Sequence, residues 1–589
     1  MVTTKFIDTP ETAVDTAVRA LCMTRPHLQF IENTHVVVNR KLDPTKVLIV
    51  CGGGAGHEPG HVGFVDCGWL SAAVSGDVFA SPPTIHVTAA IDYLHAKQGP
   101  NGPGILVVVK NYMGDILNFQ FAVHEAQTRG INVEMVMVAD DACFGLDDIN
   151  CRRGIAGTIL LYKILGAAAL RGGEMAALKQ LADRISSGMR SIGASLSSCS
   201  LPGSKPLSIV PDGLVEVGLG IHGEKGLYRI PFEGAQTLVS HLLGILLCGG
   251  KKGSEHEQGE AEKEWKGAKV ALLVNNLGST TDIEMGILTH HALKQLQQAG
   301  MDVVGVSVGR YMTALEMHGF SFTLLRFSNQ EDIAFLFDQQ QSSLLPFTVP
   351  QFSISPAAGP RSALQLAQEE ECGLQCNGLL GRVLENVFET LKNSKDYLNE
   401  LDAAVGDGDI GSGTTRAAMK ALEILPHLPL ETNVGKALAL LAKAVADAFG
   451  GSSGPLYGAF LLGAASAVAE TMRQDGASSV DAIRAALRAG SANIQRVARS
   501  KKGDRTMVDV LEVLNENPQV NDAKSIQELA RVCVPEAKKA AAATALLPAK
   551  HGRSRYLQGK ELGQPDPGAE LVVLWIEAAA NTVLTEGKL

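Results

Sequence analysis

Short β-branched runs recur through roughly the first 340 residues, each followed by a Gly- or Asp-rich turn and then by positions at helical spacing. Lys46-Val47-Leu48-Ile49-Val50, Ile105-Leu106-Val107-Val108-Val109 and the segment Val133–Val138 are the clearest early ones. After a break near Ser200-Leu201-Pro202-Gly203-Ser204 the pattern returns with Val270–Val274 and Val303–Val308. Strands alternating with helices predict an α/β domain over residues 1–338, built as two subdomains. Beyond residue 371 the β-branched runs thin out. Ala and Leu then recur at helical spacing, as in Val434–Phe449, Val480–Val497 and Leu571–Leu584, so 372–589 reads as an all-α domain. Residues 339–371 carry Gln339-Gln340-Gln341-Ser342-Ser343 and then Pro346, Pro350, Pro356 and Pro360 with no apolar period, the composition of a linker. The polar stretch Lys251–Lys266 reads as a surface loop.

Composition narrows the classes. A chain of 589 residues with 46% hydrophobic and 19% charged positions has enough apolar material for several folded domains and too much for a disordered chain. The net charge of −10, with no Lys/Arg-rich run, argues against a nucleic-acid partner. No uninterrupted apolar run reaches the ~18 residues of a membrane span, and the first residues lack the apolar stretch of a signal peptide. The ten cysteines form no CxxC pair, and Cys372 and Cys376 have no histidine cluster to complete a zinc site; small core residues of a reducing compartment are expected. The final Gly587-Lys588-Leu589 approaches the Ser-Lys-Leu type of address. The expected location is therefore cytoplasmic, or peroxisomal or glycosomal if the tripeptide is read.

Three carboxylates fall within eight residues at Asp402, Asp407 and Asp409, at a predicted helix-to-loop junction. Clustered carboxylates repel unless a cation neutralises them, and an all-oxygen set without His or Cys suits Mg²⁺, which commonly brings substrate phosphates with it. A solvated acidic turn or a calcium loop is the alternative. An EF-hand loop begun at Asp402 would need Gly in its sixth place and Glu in its twelfth, where Asp407 and Gly413 stand. Gly406, Gly408, Gly411 and Gly413 add backbone donors. A second loop, Phe449-Gly450-Gly451-Ser452-Ser453-Gly454-Pro455, opens a helical run and aims N–H groups at an anion, or is only a flexible turn. Neither loop has the GxxxxGK[ST] form of a P-loop.

In the α/β half, the strand Val47–Val50 runs into Cys51-Gly52-Gly53-Gly54-Ala55-Gly56-His57-Glu58-Pro59-Gly60-His61, and the strand Ile105–Val109 delivers Lys110-Asn111-Tyr112-Met113-Gly114-Asp115 to the same edge. Open α/β sheets bind ligands at such carboxyl ends. The glycines do not make a GxGxxG dinucleotide signature, and Lys110 with Asp115 is either part of a site or a surface ion pair. His222, between Gly220-Ile221 and Gly223-Glu224, is an approachable histidine with a structural or a catalytic role.

Taken in order, GGGAGHEP, SGDVFASP (75–82), KNYMGD, SLSSCSLPGSKP, GLGIHGE, VNNLG (274–278), GDGD, GGSSG, GDRTM (503–507) and PDPGA (565–569) resemble the single-chain, ATP-dependent dihydroxyacetone kinases, the triokinase family, some of whose members are also FMN cyclases. The resemblance covers essentially the whole chain. It implies an N-terminal domain that binds a triose and a C-terminal barrel of antiparallel helices that holds ATP with Mg²⁺. His222 matches the histidine that forms a hemiaminal with the substrate carbonyl. His57 with Gly54, Ala55 and Gly56 matches the triose loop, Lys110 and Asp115 match groups on its hydroxyls, and Asp115, with His57, is the candidate base. Asp402, Asp407 and Asp409 match the metal-holding carboxylates. Asp407, Gly408, Asp409, Ile410, Ser452, Ser453, Thr506, Met507, Asp566, Pro567 and Gly568 match nucleotide-contacting positions. The family also implies a homodimer whose subunits share sites. Ile410-Gly411-Ser412-Gly413 and Ser554-Arg555-Tyr556 depart from the family pattern on the nucleotide side.

Three functions follow as expectations. The first is phosphorylation of dihydroxyacetone, and of glyceraldehyde, by ATP. The second is an FAD-AMP lyase forming cyclic FMN at the same metal-nucleotide site, with Mn²⁺ as a possible metal. The third is a non-catalytic triose sensor, which would hold no ATP and would not need the three aspartates.

Overall fold

Runs that are apolar on every residue, rather than on alternate ones, belong to strands covered on both faces. The computed structural model bears this out in strand β5 (Ile105–Lys110), where Leu106 and Val108 enter one core and Ile105, Val107 and Val109 the opposite one. The structure describes residues 4–145, 149–206, 208–249, 263, 265–341, 343–353, 362–368, 378–551, 554–557 and 562–586. Most of the Lys251–Lys266 stretch, Cys372, Cys376 and the terminal Gly587-Lys588-Leu589 lie outside the described residues. The chain divides into two compact units, Met1–Ile354 and Ser355–Leu589.

The first unit holds two six-stranded sheets. Sheet one comprises β1 (Leu28–Phe30), β2 (Val36–Asn39), β3 (Leu48–Ala55), β4 (Ala72–Val78), β5 and β6 (Val133–Val138), in the order β1-β2-β4-β3-β5-β6. Its four right-hand strands are parallel. From β3 the chain goes first to β4 on one side and then, through helix Thr84–Gln98, to β5 on the other, so a crevice opens beyond the carboxyl ends of these three strands. Sheet two comprises β7 (Met189–Ser195), β8 (Leu214–Val217), β9 (Tyr228–Pro231), β10 (Lys269–Asn276), β11 (Asp302–Gly309) and β12 (Gly319–Arg326), in the order β11-β10-β12-β7-β8-β9. Only β10 and β11 run parallel there. Helix Gly157–Leu170, buried at every residue but Leu170, fills the core common to the two sheets.

Three boundaries differ from those read in the sequence. β3 continues through its glycines to Ala55, because Cys51–Gly53 still pair with β4 before the register shifts. The break between subdomains precedes β7 rather than following it at 200–204, since β7 is paired on β12. The segment expected as the start of the linker packs on the first unit: Leu345 is buried and Thr348 bridges to Val306.

Among its described residues the second unit is all-helical. Helices Leu379–Asn393, Ile410–Ile424, Val434–Phe449, Ser453–Thr471, Ser479–Ala498, Met507–Glu516, Ile526–Ala543 and Pro567–Glu586 each pack on the next, and the last packs back on the first. They surround an apolar cavity of about 570 Å³. Pro567–Glu586 is long and apolar enough to cross a membrane by composition, but half of its most apolar window is buried against its neighbours, as in a core helix.

Two glycines test the packing with the same chemical change. A Cβ on Gly166 would lie 2.1 Å from the Gly68 carbonyl oxygen, whereas one on Gly286, in helix Asp282–Gln298, meets nothing within 4 Å. Gly166→Ala is expected to destabilise the first unit by about 1–3 kcal/mol. Gly286→Ala should stabilise it by about 0.4–1 kcal/mol. Urea unfolding of the two variants against wild type checks both signs.

Candidate active site

Loops after three neighbouring strands build the crevice of sheet one. His57 follows β3, Phe79 follows β4, and Lys110, Tyr112 and Asp115 come at the end of β5 and the start of helix Met113–Thr128. His222 arrives from the other subdomain, on the loop between β8 and β9. The structure thus brings together His57, Lys110, Asp115 and His222, which are far apart in the sequence.

Lys110 is wholly buried, and its ammonium has three acceptors: the Gly52 carbonyl at 3.0 Å, His61 Nε2 at 3.0 Å and Asp115 Oδ2 at 3.1 Å. An ammonium only donates, so His61 must accept at Nε2 and carry its proton on Nδ1, which faces Cys51 Sγ at 3.4 Å. Burial and then the Lys110 charge hold the His61 pKa well below the usual value, which keeps that ring neutral. Asp115 lies in the first helical turn, where the helix dipole also favours a carboxylate. Gly53 is required beside them, since a Cβ there would stand 2.0 Å from Lys110 Nζ.

His57 Nδ1 lies 2.8 Å from the Thr313 carbonyl, which can only accept, so the proton sits on Nδ1. Its Nε2 is left with a lone pair, buried and without a protein partner. Burial first, then His222 and Lys110, hold the His57 pKa well below its ordinary value. Phe79 stacks on this ring at 5.1 Å. Phe79 has φ +61°, a left-handed conformation that costs a bulky residue about 1–3 kcal/mol and clusters at functional sites. Gly56 makes room for it: a Cβ there would come within 2.9 Å of the phenyl ring.

His222 stands edge-on to three rings, Tyr112 at 4.6 Å, His57 at 4.8 Å and Phe79 at 5.4 Å. Its pKa is pushed down to about 3, by burial first and then by the cations of Lys110 and Arg153. The imidazole is therefore neutral, with a lone pair, throughout the physiological range. The Tyr112 hydroxyl is buried without a hydrogen-bond partner, and burial and Glu224 raise its pKa well above normal, so it stays a donor. Phe79 and Tyr112 lie inside segments singled out in the sequence, yet nothing there marked them as walls of the site. Thr313 carried no sequence signal at all.

In the helical unit, helix Lys395–Val405 ends at Gly406 and helix Ile410–Ile424 begins after Asp409. Carboxylate oxygens of Asp402, Asp407 and Asp409 lie within 4.8 Å of one another, with Asp407 and Asp409 exposed. Asp402 Oδ2 accepts from the amides of Asp409, at 3.0 Å, and Ile410, at 3.4 Å. A Cβ on Gly406 would fall 2.4 Å from Asp402 Oδ1, so the glycine keeps that oxygen clear. This all-oxygen set fits a hard divalent cation such as Mg²⁺. Gly413 acts differently from the backbone donor expected: its amide is taken by the Asp409 carbonyl at 3.1 Å, and a Cβ there would meet the Phe449 ring at 2.9 Å, so it serves close helix packing. Gly411, in the first turn, also packs closely, since a Cβ there would meet the Lys395 carbonyl at 2.1 Å.

The loops of the helical ring alternate between its ends, so the N-termini at Ile410, Ser453, Met507 and Pro567 all fall at the end that carries the aspartates. Ser452 precedes the second of these helices, and Arg416 donates to the Phe449 carbonyl at 2.9 Å beside it. Thr506 caps the third through a reciprocal pair with Asp509, and Met507 packs near Gly568. Asp566 accepts from the Ala569 amide at 2.9 Å, ahead of Pro567 and Gly568. Burial raises its pKa to about 6. Four helix N-termini and a carboxylate cluster able to hold a cation at one end have the chemistry that a polyphosphate with its metal would need.

Comparison with known proteins agrees with this division. Residues 19–344 match the Dak1 domain and residues 404–581 the DAK2 domain. The chain is 35% identical over 578 residues to the triokinase/FMN cyclase of Homo sapiens, covering 97% of each chain. It is 34% identical over 556 residues to the dihydroxyacetone kinase of Citrobacter freundii, covering 93% of each. The crystal structure of the latter enzyme in its native form superposes with a TM-score of 0.62 at 31% identity, covering 99% of this chain and 100% of that one. Its complex with AMP-PNP and Mg²⁺ gives 0.61, at 98% and 99% coverage. With an α/β unit that carries a histidine-lined crevice joined to a helical unit that carries an aspartate cluster, and with full-length relatives of the same two-domain build, the chain belongs to the Dak1–DAK2 family of dihydroxyacetone kinases and triokinases.

Proposed function

We propose that this chain phosphorylates dihydroxyacetone, and glyceraldehyde, with ATP, the triose being held as a hemiaminal on His222. The observation that carries this reading is a neutral, nearly enclosed imidazole beside the His57 ring, whose Nε2 is orphaned, in a crevice that also holds a carboxylate paired with a buried lysine. A lone pair on the His222 ring adds to the carbonyl carbon, and the π pair moves to the carbonyl oxygen. The proton of the other ring nitrogen ends on that oxygen, so the adduct is neutral. Glycerol has no carbonyl and is passed over by reactivity as well as by shape. Asp115, with His57 Nε2 as a further acceptor, takes the proton of the triose hydroxyl that attacks phosphorus.

Bound Mg-ATP supplies the phosphoryl group and the cations that neutralise it. Asp402, Asp407 and Asp409 hold those cations in this reading, and the helix N-termini at Ile410, Ser453, Met507 and Pro567 orient the phosphates. The closed ring of packed helices supports the barrel that the resemblance implies, and the resemblance also supports a homodimer. A second reading, FAD-AMP lyase with Mg²⁺ or Mn²⁺ at the same aspartates, draws support from the human relative's name, triokinase/FMN cyclase. The retained aspartates speak against a triose sensor without ATP.

Purified wild type is expected to turn over dihydroxyacetone with Mg-ATP, and His222→Ala and Asp407→Ala are each expected to lose at least about 100-fold in rate. His222→Ala should leave any FAD cleavage intact, while Asp407→Ala should abolish it. An inert wild type that cleaves FAD would replace the kinase reading by the lyase.

The depressed histidine values give a second expectation. Formation of the triose adduct, followed by carbon-13 NMR of labelled dihydroxyacetone, should be flat from about pH 8 to about pH 5, with no step at the ordinary histidine value of ~6.5. Stability responds with the opposite clarity. Below ~6.5 the unfolded chain protonates His57, His61 and His222 while the folded chain does not, so unfolding free energy should fall as pH drops from there toward the folded values. Urea unfolding at a series of pH values measures this, and replacing His61 by Gln should reduce the slope.

A further inference from the structure

The loop that carries His222 is tied to the core by the buried side chains of Leu219 and Ile221, which leave the orientation of His222 itself to polar contacts. Gly218, Gly220 and Gly223 punctuate it, with Gly218 and Gly223 at φ of +76° and +74°. The side-chain ion pair that reaches it comes from a guanidinium elsewhere in the chain. Arg153 precedes helix Gly157–Leu170, and its side chain is only 13% exposed. Its Nε donates to Asp141 Oδ2 at 2.7 Å, its Nη2 to the Gly218 carbonyl at 2.7 Å and toward Cys143 Sγ at 3.3 Å, and its Nη1 to Glu224 Oε1 at 3.2 Å. The other oxygen of Glu224 accepts the backbone N–H of His222 at 2.8 Å. One carboxylate thus joins the guanidinium to the residue that bears the imidazole.

Arg153 is itself rigidly placed. The Arg153 carbonyl accepts from the Asp141 amide at 3.0 Å, and Asp140 accepts from the amides of Ile155 at 2.7 Å and Gly157 at 2.8 Å. Asp141 in turn is 1% exposed, so the pair is a buried one whose partners cannot be removed singly without leaving a stranded charge. The loop is pressed against this pair: a Cβ on Gly220 would stand 1.7 Å from Glu224 Oε1 and 2.9 Å from Arg153 Nη1.

We propose that Arg153 is a positioning residue for His222: through Glu224 and the Gly218 carbonyl, its planar fork fixes where the imidazole stands relative to His57 and Tyr112, and so sets the efficiency of carbonyl addition. The inference rests on the reading of His222 as the carbonyl-binding nucleophile. A lysine cannot take its place, because a single ammonium does not span Asp141, Gly218 and Glu224 in one plane. Misplacement of a reacting group by about 1 Å can cost about 100-fold.

The test uses full-length protein with carbon-13-labelled dihydroxyacetone, reading the adduct by NMR, alongside kcat and KM for the triose and for ATP. Arg153→Met and Arg153→Lys are each expected to weaken adduct formation by at least about tenfold and up to about 100-fold, seen as a higher KM for dihydroxyacetone with the KM for ATP unchanged. Glu224→Gln keeps the shape and can still accept from His222, but loses the ion pair; it should reproduce part of the loss. The double variant Arg153→Met/Glu224→Gln should be less than additive, because both act through one link. Full adduct formation in Arg153→Met, or additive losses with ATP affected equally, overturns the proposal. If Arg153→Met fails to fold, the Glu224→Gln variant decides, since an unchanged adduct there sinks the link. Absence of any adduct in wild type, with kinase turnover intact, shows instead that the His222 reading fails, and the proposal falls with it.

Discussion

A lysine ammonium with no exposed surface sits at the centre of the crevice, and most of the site's chemistry follows from housing it. A buried cation is tolerated only when its donors are matched. The Gly52 carbonyl, His61 Nε2 and Asp115 Oδ2 provide one acceptor for each of the three protons of Lys110. That arrangement decides the tautomer of His61, holds Asp115 in an ion pair, and excludes a side chain at Gly53. It also places positive charge near His57 and His222, which adds to their burial in keeping both rings neutral. One of the three protons of Lys110 thus goes to Asp115, and the other two to Gly52 and His61.

Much of the architecture was legible because covered strands and amphipathic helices leave strong local traces. Ile105–Lys110 and Val133–Val138 were evident as apolar runs, and helix Val434–Phe449 was evident from its Ala/Leu spacing. The pattern failed where tertiary pairing overrode local preference. Cys51–Ala55 continue β3 although four of the six residues from Cys51 to Gly56 are glycine, because β4 supplies the ladder. Met189–Ser195 is too short of β-branched residues to announce itself, yet β12 and β8 hold it on both sides.

The candidate site was legible to a different depth. His57, Lys110, Asp115, His222 and the aspartates stand in glycine-rich segments whose composition already suggested close approach by a ligand. Phe79, Thr313 and Arg153 did not. Each acts through a contact whose partner is far along the chain: Thr313 meets His57 across 256 positions and Arg153 meets Glu224 across 71. A single sequence carries no mark of such pairs until the fold closes them. Gly413 shows the reverse error, in which a glycine beside a chemically loaded motif turned out to serve the contact of one helix with its neighbour.

The division of labour between the two sheets explains why the first unit needs so large a common core. His57, Lys110 and Asp115 come from loops of sheet one, whereas His222 and its Glu224 link come from sheet two. Addition of an imidazole to a small ketone is reversible and gains little from the few contacts a triose offers, so most of the selectivity must come from geometry already in place. Helix Gly157–Leu170, buried between the sheets and led in by Arg153, is the element that sets the spacing of the two halves. A softer interface there would let the His222 imidazole and the His57 ring drift apart, and the crevice would keep all of its residues while losing the alignment on which the proposed carbonyl addition depends.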